Sequence, residues 1–565
     1  MILPFLCKLP IIWHCVIDKK AVILQRFWKG YLIIVKYTNK MRMKKIFFFA
    51  ALAISATMTA QTIELDYYKT LVDEQADATK GSTQLYALDY AADGSLYALA
   101  MYQTASADET GLKFGDATYQ GATASKWGSR DGDMKFTNMR NSFLAKLDAE
   151  GNVLWAKADT TGDYDLANTT IAVTNDGGVI YADKFRTRKG VYMSFFNAYD
   201  ASGKLVATNS MSFTNNDSIL VEGKNVKRKE AFSWAGIAVK DSFVYITGLQ
   251  GDTLLPTWSD SIAPRKVWNT KGNLSQNCNT VILKYKVNLN TEKLVYVDAV
   301  INSDDLTYDR PLGLHYENGK LYVAGTYNNG TETGIYAARY DADLNREYVV
   351  YHPITGVLQF QQTKFADGKI FVCGGLVKGS ITVGDKTLAT NGNFNHGLIY
   401  IMSMEDGSLV NAAVRSAAND ALNITVAAYP TSDGFVAYNH ETLNGISAAL
   451  NYDENMNLVS IDTLATGGGS SNVSVVGRSN DGNKTAVGLR ARTTAAYNLL
   501  DEEPMNFASV TNWYSVIAVL SIEDQTEAIE EVQESKAQGT KVLRDGQLYI
   551  LRDGKTYNVL GVSMQ

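Results

Sequence analysis

The chain has 565 residues, of which 46% are hydrophobic, with 53 basic and 59 acidic side chains and a net charge of −6. That balance argues against a nucleic-acid binder, whose phosphate contacts require a basic face. Eight prolines against 45 glycines and 32 tyrosines suit half-buried strands joined by tight turns.

Residues 1–42 hold two apolar clusters broken by Lys8, Lys19, Lys20, Arg26 and Lys29. Neither reaches the roughly 20 uninterrupted apolar residues of a spanning helix. We read this stretch as an upstream extension, with the start at Met41 or Met43; the competing reading is a membrane-associated leader. Residues 43–60 run from Lys44-Lys45 through an apolar stretch to small residues ending at Ala60, the pattern of a secretory signal peptide. Cleavage is expected before Gln61, with Met58 at the −3 position, and no cysteine comes after it that would carry a lipid. The expected address is therefore exported: periplasm, cell surface or exterior, with no transmembrane helix in the mature chain.

From residue 85 onward a two-part unit recurs. Its first half is an apolar strand, an Asp-Gly-type turn and a strand with a central aromatic. First halves fall at 85–101, 170–182, 236–248, 312–325, 363–374, 425–438 and 473–488. The second half is a longer hairpin, seen at 142–157, 192–207, 281–297, 335–350, 398–413 and 446–460, and weakly at 514–523. The mean spacing is about 65 residues. Alternation around Gly, Asn and Asp is the hairpin signal. Two hairpins make four strands, and four-stranded sheets repeated radially make a β-propeller. The predicted fold is thus all-β, a β-propeller of about seven four-stranded blades over 61–523. The surplus length falls in loops at 103–140, 208–230 and 250–277.

The segment Phe143-Leu-Ala-Lys-Leu-Asp-Ala-Glu-Gly-Asn-Val-Leu-Trp-Ala-Lys157, with Thr169-Thr-Ile-Ala-Val-Thr-Asn-Asp-Gly-Gly-Val-Ile-Tyr181 after it, resembles the repeat of the bacterial seven-bladed β-propeller repeat proteins. The match is close over 142–181, recognisable over 312–375 and loose elsewhere. The seventh unit departs from it, with Lys484-Thr485 where the others carry an aromatic strand. The resemblance implies a shape and supplies no shared chemistry.

Cys7 and Cys15 lie in the leader, leaving Cys278 and Cys373. Cys373, inside Ile370-Phe371-Val372-Cys373, is expected as a buried free thiol. No Cys-x-x-Cys or His-rich cluster supports zinc or a disulfide framework. Motifs for acyl transfer, metalloproteolysis, phosphate loops and dinucleotide binding are missing, so no catalytic set, cofactor or metal is expected. His315 is expected to be structural, and His352 and His396 carry no motif. His440, before Glu441, is the one histidine weighed for acid–base work. Asp131, Asp133, Asp304 and Asp305 are read as solvated turn carboxylates rather than calcium ligands.

Trp155, Trp234 and Trp513 sit in or beside strands and are expected to pack between blades. Trp127, Trp258 and Trp268 fall in the long loops among polar residues. Their rings could stack on the C–H face of a pyranose or simply close the loops. They are the candidate ligand-binding residues.

Residues 524–540 form an acidic linker. The tail over 541–565, which contains Lys541-Val-Leu-Arg-Asp-Gly-Gln-Leu-Tyr-Ile-Leu-Arg-Asp-Gly-Lys-Thr-Tyr-Asn-Val-Leu-Gly561, resembles C-terminal tails of exported Bacteroidetes proteins. That resemblance implies sorting or anchoring through export machinery; the residues alone allow a capping mini-sheet. Two functional readings remain. One is a secreted, non-enzymatic module that binds a glycan or a protein. The other is a propeller-type carbohydrate-active enzyme, a lyase or glycosidase, whose site is assembled from several blades.

Overall fold

The computed structural model describes residues 62–523 apart from 75–80, 103–110, 121–140, 159–169, 187–191, 214–217, 222–223, 228–231, 251–278, 289–291, 303–307, 391–394, 416–422, 442–444, 468–469, 493–495, 501 and 508–511, together with strands between 540 and 564. Among the described residues every regular element is a β-strand. A compact unit spans Ile63–Glu523.

Within that unit the chain repeats an antiparallel meander. The first runs Thr83–Tyr90, Leu96–Tyr102, Asn141–Leu147 and Val153–Ala158. The next two are Thr170–Val173, Val179–Arg186, Tyr192–Tyr199, Leu205–Phe213 and then Phe232–Lys240, Phe243–Gln250, Asn279–Asn288, Lys293–Ile301. Their outer strands touch through one parallel bridge, Thr208 to Lys293, which fuses them into an eight-stranded sheet. Then come Tyr308–Glu317, Lys320–Asn328, Thr333–Asp341 and Arg346–Pro353. The following meander, Thr355–Ala366, Lys369–Val383, His396–Ser403 and Leu409–Arg415, carries an added strand, Lys386–Ala389. Next is Asn423–Thr431, Gly434–Glu441, Ile446–Asp453 and Leu458–Gly467, extended by Tyr497–Leu499.

The last sheet corrects the sequence reading. Ser470–Arg478, Lys484–Arg492 and Tyr514–Glu523 are three strands, the fourth is the N-terminal strand Thr62–Asp73, and the sheet is extended to six by Leu112–Phe114 and Ala117–Tyr119, a hairpin inside the loop expected at 103–140. The weak second hairpin at 514–523 is therefore one strand, completed from the far end of the chain. Lys484 is not a defect in the repeat. Its Nζ lies 3.0 Å from Asp66 on the incoming strand and donates to the Ala149 carbonyl of the first meander at 3.3 Å. The loop expected at 208–230 is also shorter, because the strand continues to Phe213 and a hairpin of Ser218–Val221 with Lys224–Lys227 comes after it.

The first strand of each meander packs against the first strand of the next, and the cycle closes where Ser470–Arg478 meets Thr83–Tyr90. This closed cycle is a β-propeller. The inner strands come so close that a Cβ on Gly236 would lie 2.6 Å from the Leu314 nitrogen. The pairing register shifts in every inner strand except Thr170–Val173, for example between Leu85 and Ala87, Thr425 and Ala427, and Val473 and Val475. Such bulges bend a strand and increase its twist. The core lies between meanders: Leu85, Ala100 and Phe143 of the first share a cluster with Val475, Ile517 and Val519 of the last. Cys373 is fully buried and unpaired, as expected.

The C-terminal strands Thr540–Arg544, Gln547–Arg552, Lys555–Asn558 and Ser563–Met564 form their own antiparallel sheet. Among the described residues no helix is long and apolar enough to cross a membrane.

Candidate functional site

Antiparallel alternation gives the ring two unlike faces. The connection from first to second strand, and from third to fourth, lies on one face, the turn face. The connection from second to third strand, and from each meander to the next, lies on the other, the loop face.

On the turn face a five-residue turn recurs, starting at Asp148, Asp200, Asp341 and Asp453. In each, one carboxylate oxygen accepts backbone N–H groups two and four residues on, such as those of Ser202 and Lys204 for Asp200. Side chains of Asn345, Asn457 and Ser202 hold the carboxyls of Asp341, Asp453 and Asp200 below the usual carboxylate range. The fourth turn position is left-handed, with φ of 85° at Gly151, 82° at Gly203, 64° at Leu344 and 61° at Met456. Aromatics from the preceding outer strand cover two of these glycines: a Cβ would stand 2.5 Å from the Tyr67 ring at Gly151 and 2.7 Å from the Trp155 ring at Gly203. Further side chains reach from one meander to the next. Tyr97 Oη donates to Gly177 O at 2.6 Å, Lys284 Nζ to Ala342 O at 2.8 Å, and Arg339 to Glu405 O at 2.7 Å.

The centre of the ring is crossed near the turn face. Lys364 Nζ donates to Val476 O at 2.5 Å, and Val476 N–H donates to Gln362 at 3.2 Å. Tyr429 Oη donates to the same Val476 carbonyl at 3.3 Å. Asp89 accepts the Val173 and Tyr90 N–H groups, each at 3.0 Å. Burial pushes the Lys364 ammonium down to about 8, partly offset by Asp89, and raises the Asp89 carboxyl. No local pattern announces this pair, because ring closure alone brings residues 89 and 364 together. Asp89 bonds to the backbone of the neighbouring inner strand, whereas Lys364 reaches past Asn423–Thr431 to the backbone of Ser470–Arg478, so the cluster ties strands across the channel.

On the loop face, polar residues are buried at strand ends: Thr83, Asn141, Gln250, Asn279, Thr280, Asp309, Asn395, His396, Asn423, Asn439, His440 and Ser515. Thr280 N–H donates to Asp309 Oδ1 at 2.9 Å and Ser515 N–H to Thr83 Oγ1 at 2.9 Å, both across a junction. Around Gly397 the amides are so close that a Cβ would sit 3.0 Å from both Asn423 Oδ1 and Asn439 Nδ2. Arg415 donates to Glu441 at 3.2 Å beside them.

The tryptophans divide. Trp155 packs as expected, edge-on to Tyr97 at 5.7 Å, with its Nε1–H donating to Ala201 O at 3.0 Å. Trp513 faces Arg490 at 4.0 Å. Trp234 lies at the register shift of its strand. Trp127, Trp258 and Trp268 lie outside the described residues, as do Cys278, Asp131, Asp133, Asp304 and Asp305. Their segments link second to third strands or one meander to the next. His315 is structural, stacked on Phe365 at 5.4 Å. His352 Nε2 contacts Gly407 O at 2.8 Å. His440 is buried, and burial lowers its imidazole to about 4, which suits a neutral core group rather than an exposed acid or base. Among the described residues no cluster of three or more His, Cys, Asp or Glu could hold a metal.

No protein-family model matches the chain, and no curated protein does. Among solved structures it is similar to the WD40 repeats of RRP9, at 8% identity over 82% of this chain and 100% of that one, with a TM-score of 0.40. It is also similar to the polysaccharide lyase Uly1, at 9% identity over 81% and 100% with a TM-score of 0.38, and to Trypanosoma rangeli sialidase, at 12% identity over 71% and 62% with a TM-score of 0.36.

Proposed function

We propose that this is an exported, non-enzymatic β-propeller that binds a glycan or partner on its loop face. The observation that supports this reading is the asymmetry of the ring: the turn face is consumed by interblade bonds, while every long connection leaves from the other side. Trp127, Trp258 and Trp268 all belong to those long connections. Loops of that length on a rigid scaffold are where binding residues concentrate.

The blade count in this reading is seven, with Thr62–Asp73 as the outer strand of the last blade. Tyr67 supports that assignment, since it covers Gly151 as Trp155 of the first meander's outer strand covers Gly203. Residues 43–60 act as the export signal, 524–540 as a linker, and the tail sheet as a sorting or capping element.

Lys364 and Asp89 favour the second reading, a propeller lyase or glycosidase, because they place a lowered ammonium and a raised carboxyl in one channel. Their backbone bonds weigh against it. Glycan-array binding run alongside a polysaccharide turnover assay separates the two. Binding without product is the result expected; new reducing ends that vanish in Lys364→Met would establish the enzyme instead.

A further inference from the structure

Between the fifth and sixth meanders the loop face carries a polar recess beside an apolar wall. The wall comes from an overlong strand: Lys369–Val383 has 15 residues, against 7 to 9 for the second strand of every other meander. The excess rises from the loop face, paired with the start of Thr355–Ala366. Cys373 packs with Ala428 and Ala437 of the sixth meander, so Gly375 and Val377, two and four residues on, face the same way. Gln359 and Val357 pair with them, and directly opposed residues share a face. Val357 is 61% exposed, and Gln359 is exposed beside it.

The floor is a pair of carboxamides on a pair of glycines. Gly375 pairs with Gly397. A Cβ on Gly375 would lie 3.2 Å from Asn395 Cβ, and one on Gly397 3.0 Å from Asn423 Oδ1. The Asn423 N–H donates to the Asn395 carbonyl at 3.1 Å, which holds the two residues side by side. Asn395 Nδ2 donates to Gln359 Oε1 at 2.7 Å, and Asn423 Oδ1 accepts from Asn439 Nδ2. The other ends of these two buried amides, Asn395 Oδ1 and Asn423 Nδ2, have no hydrogen-bond partner among the described residues. One is an acceptor and the other a donor, and leaving both unmade disfavours the fold. A hydroxyl group both donates and accepts, so one hydroxyl entering past Gln359 satisfies the two together. A hydroxyl on the adjacent carbon would accept from Gln359 Nε2, and the C–H groups between would rest on Val357 and Val377. Arg415, at the border, is already committed to Glu441 at 3.2 Å and Asn439 at 3.5 Å, so this pair offers no net charge to an acidic group.

We propose that this recess binds a vicinal diol of an uncharged polysaccharide. The inference rests on the reading of the loop face as the ligand face and names the ligand class. An apolar wall with a few fixed polar groups is the general composition of a small-ligand site.

Affinity electrophoresis of the full chain in gels containing dextran, galactomannan or polygalacturonate tests it. The expected result is retardation by at least one of the two neutral polymers, weakened at least tenfold by Gln359→Ala and by Asn423→Ala. Lys386→Gln should change it less than twofold, because Lys386 pairs with Val383, which packs on the fourth-meander side of the same hairpin. Gln359 is exposed, so Gln359→Ala should melt with the parent, and it decides alone if Asn423→Ala does not fold. Retardation by polygalacturonate alone overturns the inference while leaving the loop-face reading intact, as does neutral-polymer retardation that Gln359→Ala preserves. Retardation by none of the three overturns the inference, and so does equal weakening by Lys386→Gln.

Discussion

The two faces of this ring use the same backbone pattern for opposite ends. On the turn face the hairpins are short, the carboxylates of Asp148, Asp200, Asp341 and Asp453 are spent on their own backbone, and aromatic and basic side chains reach into the neighbouring blade. The long connections all belong to the loop face, where buried polar groups sit at the strand ends. The proposed reading therefore makes stability and recognition separable, each open to attack by a different substitution.

The harshest break is removal of the closing strand. A chain beginning after Asp73 leaves Tyr514–Glu523 as an open edge and strips Asp66 from Lys484 and Ser521. We expect cooperative thermal unfolding, monitored by circular dichroism, to disappear. A graded version uses two glycines. Gly203→Ala places a Cβ at φ +82° and 2.7 Å from the Trp155 ring, whereas Gly319→Ala at φ +80° meets open space. The second should cost about 1 kcal/mol, the penalty of a left-handed alanine, and the first clearly more. Denaturant midpoints measure the difference, and equal losses would show that the ring contact contributes nothing.

Asp66→Ala removes the Ser521 hydrogen bond of 2.6 Å and the Lys484 ion pair. Both are part-exposed, so a loss of about 1 kcal/mol is expected, read from the same midpoints.

The loop face has a pH signature. Burial depresses His440 to about 4 in the folded chain, against about 6.5 unfolded. Between those values the unfolded chain holds more protons. Its contribution is therefore complete above pH 6.5 and declines as pH falls toward 4. His315 and His352, also lowered by burial, act in the same direction. The stability–pH slope in that window should flatten in His440→Gln, and an unchanged slope would place the acid sensitivity elsewhere.

The smallest structural effect is expected at the loop tryptophans. Trp258→Ala and Trp268→Ala should leave the melting temperature nearly unchanged while weakening glycan retention. Loss of fold in either would make the ring a core element.

How far the sequence carried is uneven for physical reasons. The paired hairpins were legible because alternation and Gly or Asn turns are local signals, as at Asp148–Asn152 and Asn318-Gly319. The closing role of Thr62–Asp73 was not, since a strand that completes a sheet about 450 residues away carries no local mark of its partner. The Asp89–Lys364 crossing was hidden for the same reason, and the grouping of Gln359, Asn395 and Asn423 emerges only from strand register and the packing of neighbouring meanders. Cys373 and Trp155 were readable because a central apolar strand and a repeated aromatic position each have one obvious place to go.

The separation of the two faces is tested most directly by measuring melting temperature and polysaccharide retention together on the Trp258→Ala, Trp268→Ala double variant and on Gly203→Ala. The account predicts retention lost and melting kept in the first, with melting lowered and retention kept, below the transition, in the second. Retention surviving in the double variant while its melting temperature falls would contradict it.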